Sequence, residues 1–272
     1  MKGIALGQYY PADSFLHKAD PRIKIILSIL FIVCSFLCKN VFSFALLALG
    51  SIILITIGKI PLKIVFRGLR PILIVLIITS AFNILWTSGE KSLFSWWIID
   101  IYLEGIYAAI FMVVRIASLV IGTTMFLTYT TTPIALTDAI EDLLSPLKKL
   151  HVPVHEFAMM MTIALRFIPT LVEETDKIMT AQKARGVDFS SGSLITRAKA
   201  LIPRLIPLFV SAFNRASDLA IAMECRCYHG GEGRTRMKVR KVRFVDFIPL
   251  ALIIMLGAAL VILNIMHIGF SM

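Results

Sequence analysis

Five long apolar runs, at residues 25–38, 41–58, 71–86, 106–127 and 244–270, constrain this chain more than any other feature. A bilayer hydrocarbon core about 30 Å thick is crossed by roughly 20 apolar residues of helix, a requirement that tilt and flanking residues relax. Inside that core every backbone polar group must be satisfied within the chain, so unbroken apolar runs of this kind predict helices. A hydrophobic fraction of 58% and a mean hydropathy of +0.84 over 272 residues exclude an ordinary soluble globule. The fold class expected is all-α: a polytopic membrane protein with about five transmembrane helices. The first run is short unless its helix begins at Pro21, where Asp20 caps the first turn and proline suits the first helical position.

The net charge of +11 invites a nucleic-acid reading, but placement decides otherwise. Lys2, Lys18, Arg22 and Lys24 precede the first run, and Lys59, Lys63, Arg67 and Arg70 separate the second from the third. Seventeen of the 28 Lys and Arg residues lie between Thr128 and Arg243, whereas the opposite side of the membrane carries only Lys39 and Lys91. The positive-inside rule then places the N-terminus in the cytoplasm and the C-terminus outside, with Trp86, Trp96 and Trp97 at the far interface. This topology accounts for the basicity without nucleic acid. No signal peptide is evident, so the first run is expected to remain as a span. Cys34 with Cys38 and Cys225 with Cys227 form two close pairs unlike an extracellular disulfide framework, and free thiols are expected.

Three domains follow: a membrane domain over 1–127 with four spans, a cytoplasmic helical insert over 128–243, and a final transmembrane helix over 244–272. The insert predicts three amphipathic or apolar helices. The first covers about 133–147, capped by Thr132 with Pro133 at its first position, and stops near Ser145-Pro146. The second covers about 154–185, begins with the apolar stretch holding Met159, Met160 and Met161, kinks at Pro169, and meets a left-handed stop at Gly186. The third covers about 194–226, with Pro203 and Pro207 as kink points and Ala212, Ala216 and Ala220 spaced four apart. That stripe permits close helix approach or serves plain core packing. The three methionines suit either an adaptable sliding surface for partners or a membrane-facing filler.

The second and third helices end alike, in Ala181-Gln182-Lys183-Ala184-Arg185-Gly186 and Ala222-Met223-Glu224-Cys225-Arg226-Cys227. A cation in a last helical turn favours the helix dipole by typically 0.3–1 kcal/mol, a structural reason for either arginine alone. Two matched arginines favour docking: each guanidinium, a planar fork of donors, projects from a helix tip into an acidic or carbonyl-rich groove of a partner.

Three further constellations carry less. Arg115 in mid-span needs a partner or a polar cavity. Cys225, Cys227 and His229 lack a fourth ligand and the spacing of a zinc site, and Glu173, Glu174 and Asp176 lack a nucleophile or histidine to make a catalytic set. No metal site, cofactor or enzymatic activity is expected.

At Asp20 to Lys24, Leu165 to Pro169, Ala181 to Gly186 and Ala220 to Tyr228 the sequence resembles the transmembrane T component of energy-coupling factor transporters, importers related to ATP-binding-cassette systems. The resemblance covers nearly the whole chain. It implies an L-shaped arrangement in which the three insert helices are cytoplasmic or interfacial coupling helices. It further implies two cytoplasmic ATPase subunits that seat the arginine tips, and a membrane-embedded S component that binds a vitamin or other micronutrient and releases it inward. The family pattern ends both coupling helices in Ala-Arg-Gly. Here Ala184-Arg185-Gly186 is intact, but the second copy is Cys225-Arg226-Cys227, and cysteine disfavours the left-handed geometry glycine supplies. The S component and the helix crossing would use Met159, Met160, Met161, Pro169, Pro207, Ala212, Ala216 and Ala220. The competing reading, a self-contained permease, needs polar residues or broken helices near the midplane of several spans, and the runs offer little beyond Arg115, Asn83 and a few hydroxyls.

Overall fold

The computed structural model describes residues 9–87, 92–96, 99–186, 194–231 and 246–265. Lys2, Lys91, Trp97 and the last residues of the fifth apolar run lie outside that set. The chain divides into two compact units, one holding Gly7–Leu136 and Arg240–Met272, the other Thr137–Val239.

In the first unit, α1 (Phe15–Lys18) is a single turn capped by Ser14, and α2 (Pro21–Leu37) starts where the sequence predicts. The Asp20 carboxylate accepts from the Arg22 N–H at 2.9 Å, and Pro21 occupies the first position. α3 (Val41–Gly58) ends at Lys59, which takes a left-handed conformation (φ 52°). α4 (Leu62–Trp86) starts nine residues before the expected 71, with Pro71 inside it. The basic first turns read as loop, yet a proline removes only one backbone hydrogen bond and an otherwise continuous helix tolerates it. Trp86 closes α4 with most of its surface exposed, as an interfacial anchor would be.

Between α4 and the next helix lies a feature the sequence reading did not find: an antiparallel hairpin of β1 (Ser92–Trp96) and β2 (Ile99–Tyr102), pairing Trp96 with Ile99 and Ser92 with Tyr102, with an irregularity between Ser92 and Phe94. It decorates a helical architecture that is otherwise as expected. α5 (Leu103–Thr123) runs directly into a π-helical turn, Thr124–Tyr129, and α9 (Phe247–Ile265) closes the unit.

The core forms where α2, α3, α5 and α9 meet, around Leu27, Phe31, Leu47, Phe126 and Leu260. Phe44 stacks on Phe111 at 4.7 Å, and Phe31 meets Phe126 edge-on at 6.1 Å. Gly122 permits that packing, because a Cβ there would overlap the Phe31 ring. Asn40, Ser43 and Asn264 tie the end of α9 to the α2–α3 junction, with Asn264 Nδ2 donating to the Leu37 carbonyl at 2.6 Å.

Among the described residues, five helices are long and apolar enough to cross a membrane: α3, α4, α5 extended through its π-turn, α9, and residues Leu201–Glu224 of the second unit. The last has a mean hydropathy of 1.3, against 1.9 to 2.6 for the other four. α2, with 17 residues and a buried Lys24, falls short on length, although it packs against α5 and α9. Its lysine is not stranded: Nζ donates to the Thr130 carbonyl at 2.9 Å and lies 3.4 Å from both the His17 carbonyl and Thr131 Oγ1.

α6 (Pro133–Leu143) crosses from the first unit into the second, and Thr132 Oγ1 accepts from the Ala135 N–H as a cap should. Its α-helical hydrogen bonding stops four residues before 147. Ser145-Pro146 tightens the chain into a 3₁₀ helix, Ser145–Leu150, that ends at a left-handed His151 (φ 60°). α7 (Val154–Ala184) and α8 (Leu194–Glu224) follow, continuous through Pro169, Pro203 and Pro207.

Candidate functional site

The two arginine tips have the same backbone construction. In α7, Arg185 is the cap, Gly186 takes φ +84°, and the Gly186 N–H donates to the Lys183 carbonyl at 3.0 Å. In α8, Cys227 takes φ 55°, its N–H donates to the Glu224 carbonyl at 2.8 Å, and the Tyr228 N–H reaches back to Met223 at 3.0 Å. These two bonds complete a Schellman motif. The Cys-Arg-Cys departure left open whether the second helix ends by the same geometry as Ala-Arg-Gly, and here it does: cysteine accepts the left-handed conformation because the bonds it closes satisfy two end carbonyls. Arg185, Arg226, Ala184, Cys225 and Cys227 are all exposed, and the thiols are free.

α7 and α8 pack antiparallel. The Arg215 guanidinium meets the Glu174 carboxylate at 3.4 Å, and Gln182 Nε2 donates to the Pro203 carbonyl at 3.5 Å. The second contact has a cause: Pro207 has no N–H, so the carbonyl four residues earlier loses its helical donor, and Gln182 supplies one from the neighbouring helix. Sequence reasoning missed this link, although the spacing of Pro203 and Pro207 was its signal.

The segment after α8 returns to the start of α7. A Cβ on Gly231 would overlap the His155 imidazole, and His155 Nδ1 lies 3.0 Å from the buried Glu141 carboxylate of α6. The α8 tip is thus braced beside the beginning of α7, while Arg185 stands at its end. With 1.5 Å of rise per residue, the two tips are separated by on the order of 40 Å along α7. Two such points cannot enter one socket.

The other residues singled out by sequence divide between buried and open positions. Met159 is half-buried, whereas Met160 and Met161 are exposed, as are Pro169 and Pro207. Ala212 is half-buried beside α7, but Ala216 and Ala220 are exposed, so the alanine stripe is not packed along its length in this chain alone. The half-buried face of α8 instead carries Arg204, Leu208, Arg215, Leu219 and Met223. The opposite face exposes Ile202, Leu205, Ile206, Phe209 and Phe213, an i, i+3/i+4 apolar row.

Arg115 has a definite partner in the first unit: Nη2 donates to the Cys38 carbonyl at 2.9 Å, and the guanidinium lies 5.2 Å above the Phe44 ring. It caps the C-terminus of α2.

Comparison with known proteins agrees with this architecture. Residues 12–237 match the CbiQ family, described as cobalt transport protein. The chain is 55% identical over 247 residues to the energy-coupling factor transporter transmembrane protein EcfT of Ruminiclostridium cellulolyticum, covering 91% of each chain. It is 52% identical over 249 residues to EcfT of Clostridium kluyveri, covering 91% of this chain and 92% of that one. Against EcfT of Bacillus subtilis the identity is 49% over 238 residues, covering 88% and 89%. With such coverage and identity, the chain belongs to the CbiQ/EcfT family of transporter transmembrane components.

Proposed function

We propose that this membrane protein is the coupling subunit of an ATP-driven micronutrient importer, carrying the motion of two cytoplasmic ATPase subunits to a membrane-embedded S component. The observation that carries the reading is the pair of matched, exposed arginine tips, Arg185 and Arg226, each followed by a left-handed residue and separated by on the order of 40 Å. That spacing suits two similar sockets on two similar subunits. Residues 128–243 form the coupling domain, between a four-span domain at 1–127 and a last span at 244–272. The N-terminus lies in the cytoplasm and the C-terminus outside.

In this reading ATPase closure moves the tips of α7 and α8. The antiparallel contact through Glu174–Arg215 and Gln182–Pro203 makes the helices move as a pair. The exposed row from Ile202 to Phe213, with Met160 and Met161, offers the S component an apolar surface, which gives the moderately apolar α8 a use without requiring it to span. ATP hydrolysis belongs to the partners, and so does the choice of substrate. The permease alternative fares worse, because Lys24, Arg115 and Asn264 are each engaged with backbone carbonyls of the same unit.

The test is coexpression with the partner ATPases and an S component, comparing wild type with an Arg185→Ala, Arg226→Ala double variant. Loss of ATPase co-purification and of ATP-dependent uptake is expected; retained assembly with normal uptake would sink the docking role.

A further inference from the structure

Within the first unit, α3 and α9 approach closely near Gly50, whose position admits Leu256 Cδ1 to within 3.1 Å of where a Cβ would stand. Around that approach lies an open groove of about 530 Å³, bordered by Phe15 of α1, Leu49 and Ile57 of α3, and Pro249 and Leu252 of α9. No described residue lining it has a polar side chain. Leu49, Ile53, Leu252 and Met255 are each 45–64% exposed, so the groove opens sideways from two spanning helices.

Its length and its charge identify the occupant. The α3 lining runs from Leu46 to Ile57, about 16 Å of helix, or roughly half of a 30 Å hydrocarbon core. That is the depth of one leaflet. An extended acyl chain matches that depth. The end marked by Phe15, Ile57 and Pro249 also carries exposed cations: Lys18 closes α1, and Lys59 caps α3 two residues beyond Ile57. Lys18 pairs with the almost fully exposed Asp13 at 3.7 Å, a pair weak enough to yield to a stronger anion.

We propose that this groove binds an anionic phospholipid of the adjacent leaflet, with an acyl chain between α3 and α9 and its phosphate headgroup at Lys18 and Lys59. Neither the arginine tips nor the coupling reading enters this inference.

The test uses the purified full-length protein equilibrated with an equal mixture of dioleoylphosphatidylglycerol and dioleoylphosphatidylcholine, with retained lipids counted by native mass spectrometry. Wild type is expected to retain one phosphatidylglycerol in several-fold excess over phosphatidylcholine. Lys18→Gln and Lys59→Gln should each lower that preference about fivefold. Leu252→Trp, at an exposed groove position, should expel both lipids, whereas Ile262→Trp, equally exposed on α9 but outside the groove, should leave retention unchanged. Equal retention of the two lipids by wild type, or undiminished retention by Leu252→Trp, would overturn the proposal.

Discussion

Cys227 adopts the left-handed backbone conformation that Gly186 adopts 41 residues earlier, at φ 55° against 84°. A residue with a Cβ pays for that conformation, by roughly 1 kcal/mol relative to glycine. Replacing Cys227 by glycine is therefore expected to stabilise the α8 ending by about that much, and Gly186→Cys to destabilise the α7 ending similarly. Thermal unfolding of the detergent-solubilised chain checks both. A Cys227→Gly variant that melts lower than wild type would show that the thiol contributes packing the backbone argument omits.

Lys24 anchors the start of α2 to the chain beyond the π-turn through the Thr130 carbonyl. Lys24→Met fills similar volume but leaves that buried carbonyl without its donor, so a loss of about 1–3 kcal/mol is expected. Lys24→Arg is expected to fare little better, since a planar fork does not fit an ammonium's three-way site. Denaturant melts of the three proteins would separate these outcomes.

Arg115 supplies the carbonyl of Cys38, the residue that caps α2, with a donor and lies over Phe44. Arg115→Leu should cost about 1–3 kcal/mol through the unsatisfied Cys38 carbonyl, and Phe44→Leu should cost less in the Arg115→Leu background than alone. Uptake per folded molecule should be unchanged. A variant that melts normally but fails to transport would instead give this arginine a part in translocation.

Gln182 and Pro207 form a natural double-mutant cycle. Gln182→Ala removes the only donor recorded for the Pro203 carbonyl among the described residues, and is expected to cost about 0.5–1.5 kcal/mol. In a Pro207→Ala background the helix regains its own N–H, and the same substitution should then cost almost nothing. Equal costs in both backgrounds would mean that the 3.5 Å contact is incidental.

Local chemistry wrote much of this architecture legibly. Asp20 before Pro21, Thr132 before Pro133, and Gly186 after Arg185 each mark a boundary with a side chain or backbone property that acts over two or three residues, and each boundary stands where those properties put it. Less legible were features set by tertiary context. The first turns of α4 carry Lys63, Arg67 and Arg70, which read as loop because their sequence lacks apolar continuity, whereas the helix needs only backbone continuity. The ending at Cys227 stayed open in the sequence, because intrinsic preference weighs against cysteine there while the closing bonds favour it. Of the site, the matched arginines were visible as a repeat. The Glu174–Arg215 and Gln182–Pro203 links were not, because they join residues 41 and 21 positions apart whose proximity only helix packing creates.

The π-helical turn at Thr124–Tyr129 has one further consequence. A wider turn holds an extra residue relative to an α-helix, so everything after it in that span is out of phase with everything before it. Tyr129, whose carbonyl receives the Tyr10 N–H and whose hydroxyl donates to the Ile64 carbonyl, owes its inward aim to that offset. Removing one residue here would swing it by about 100°. An alignment of related chains that slides a gap through 124–129 would therefore turn Tyr129 and the residues beside it by about 100°, and would pair positions that share a column but never a neighbourhood.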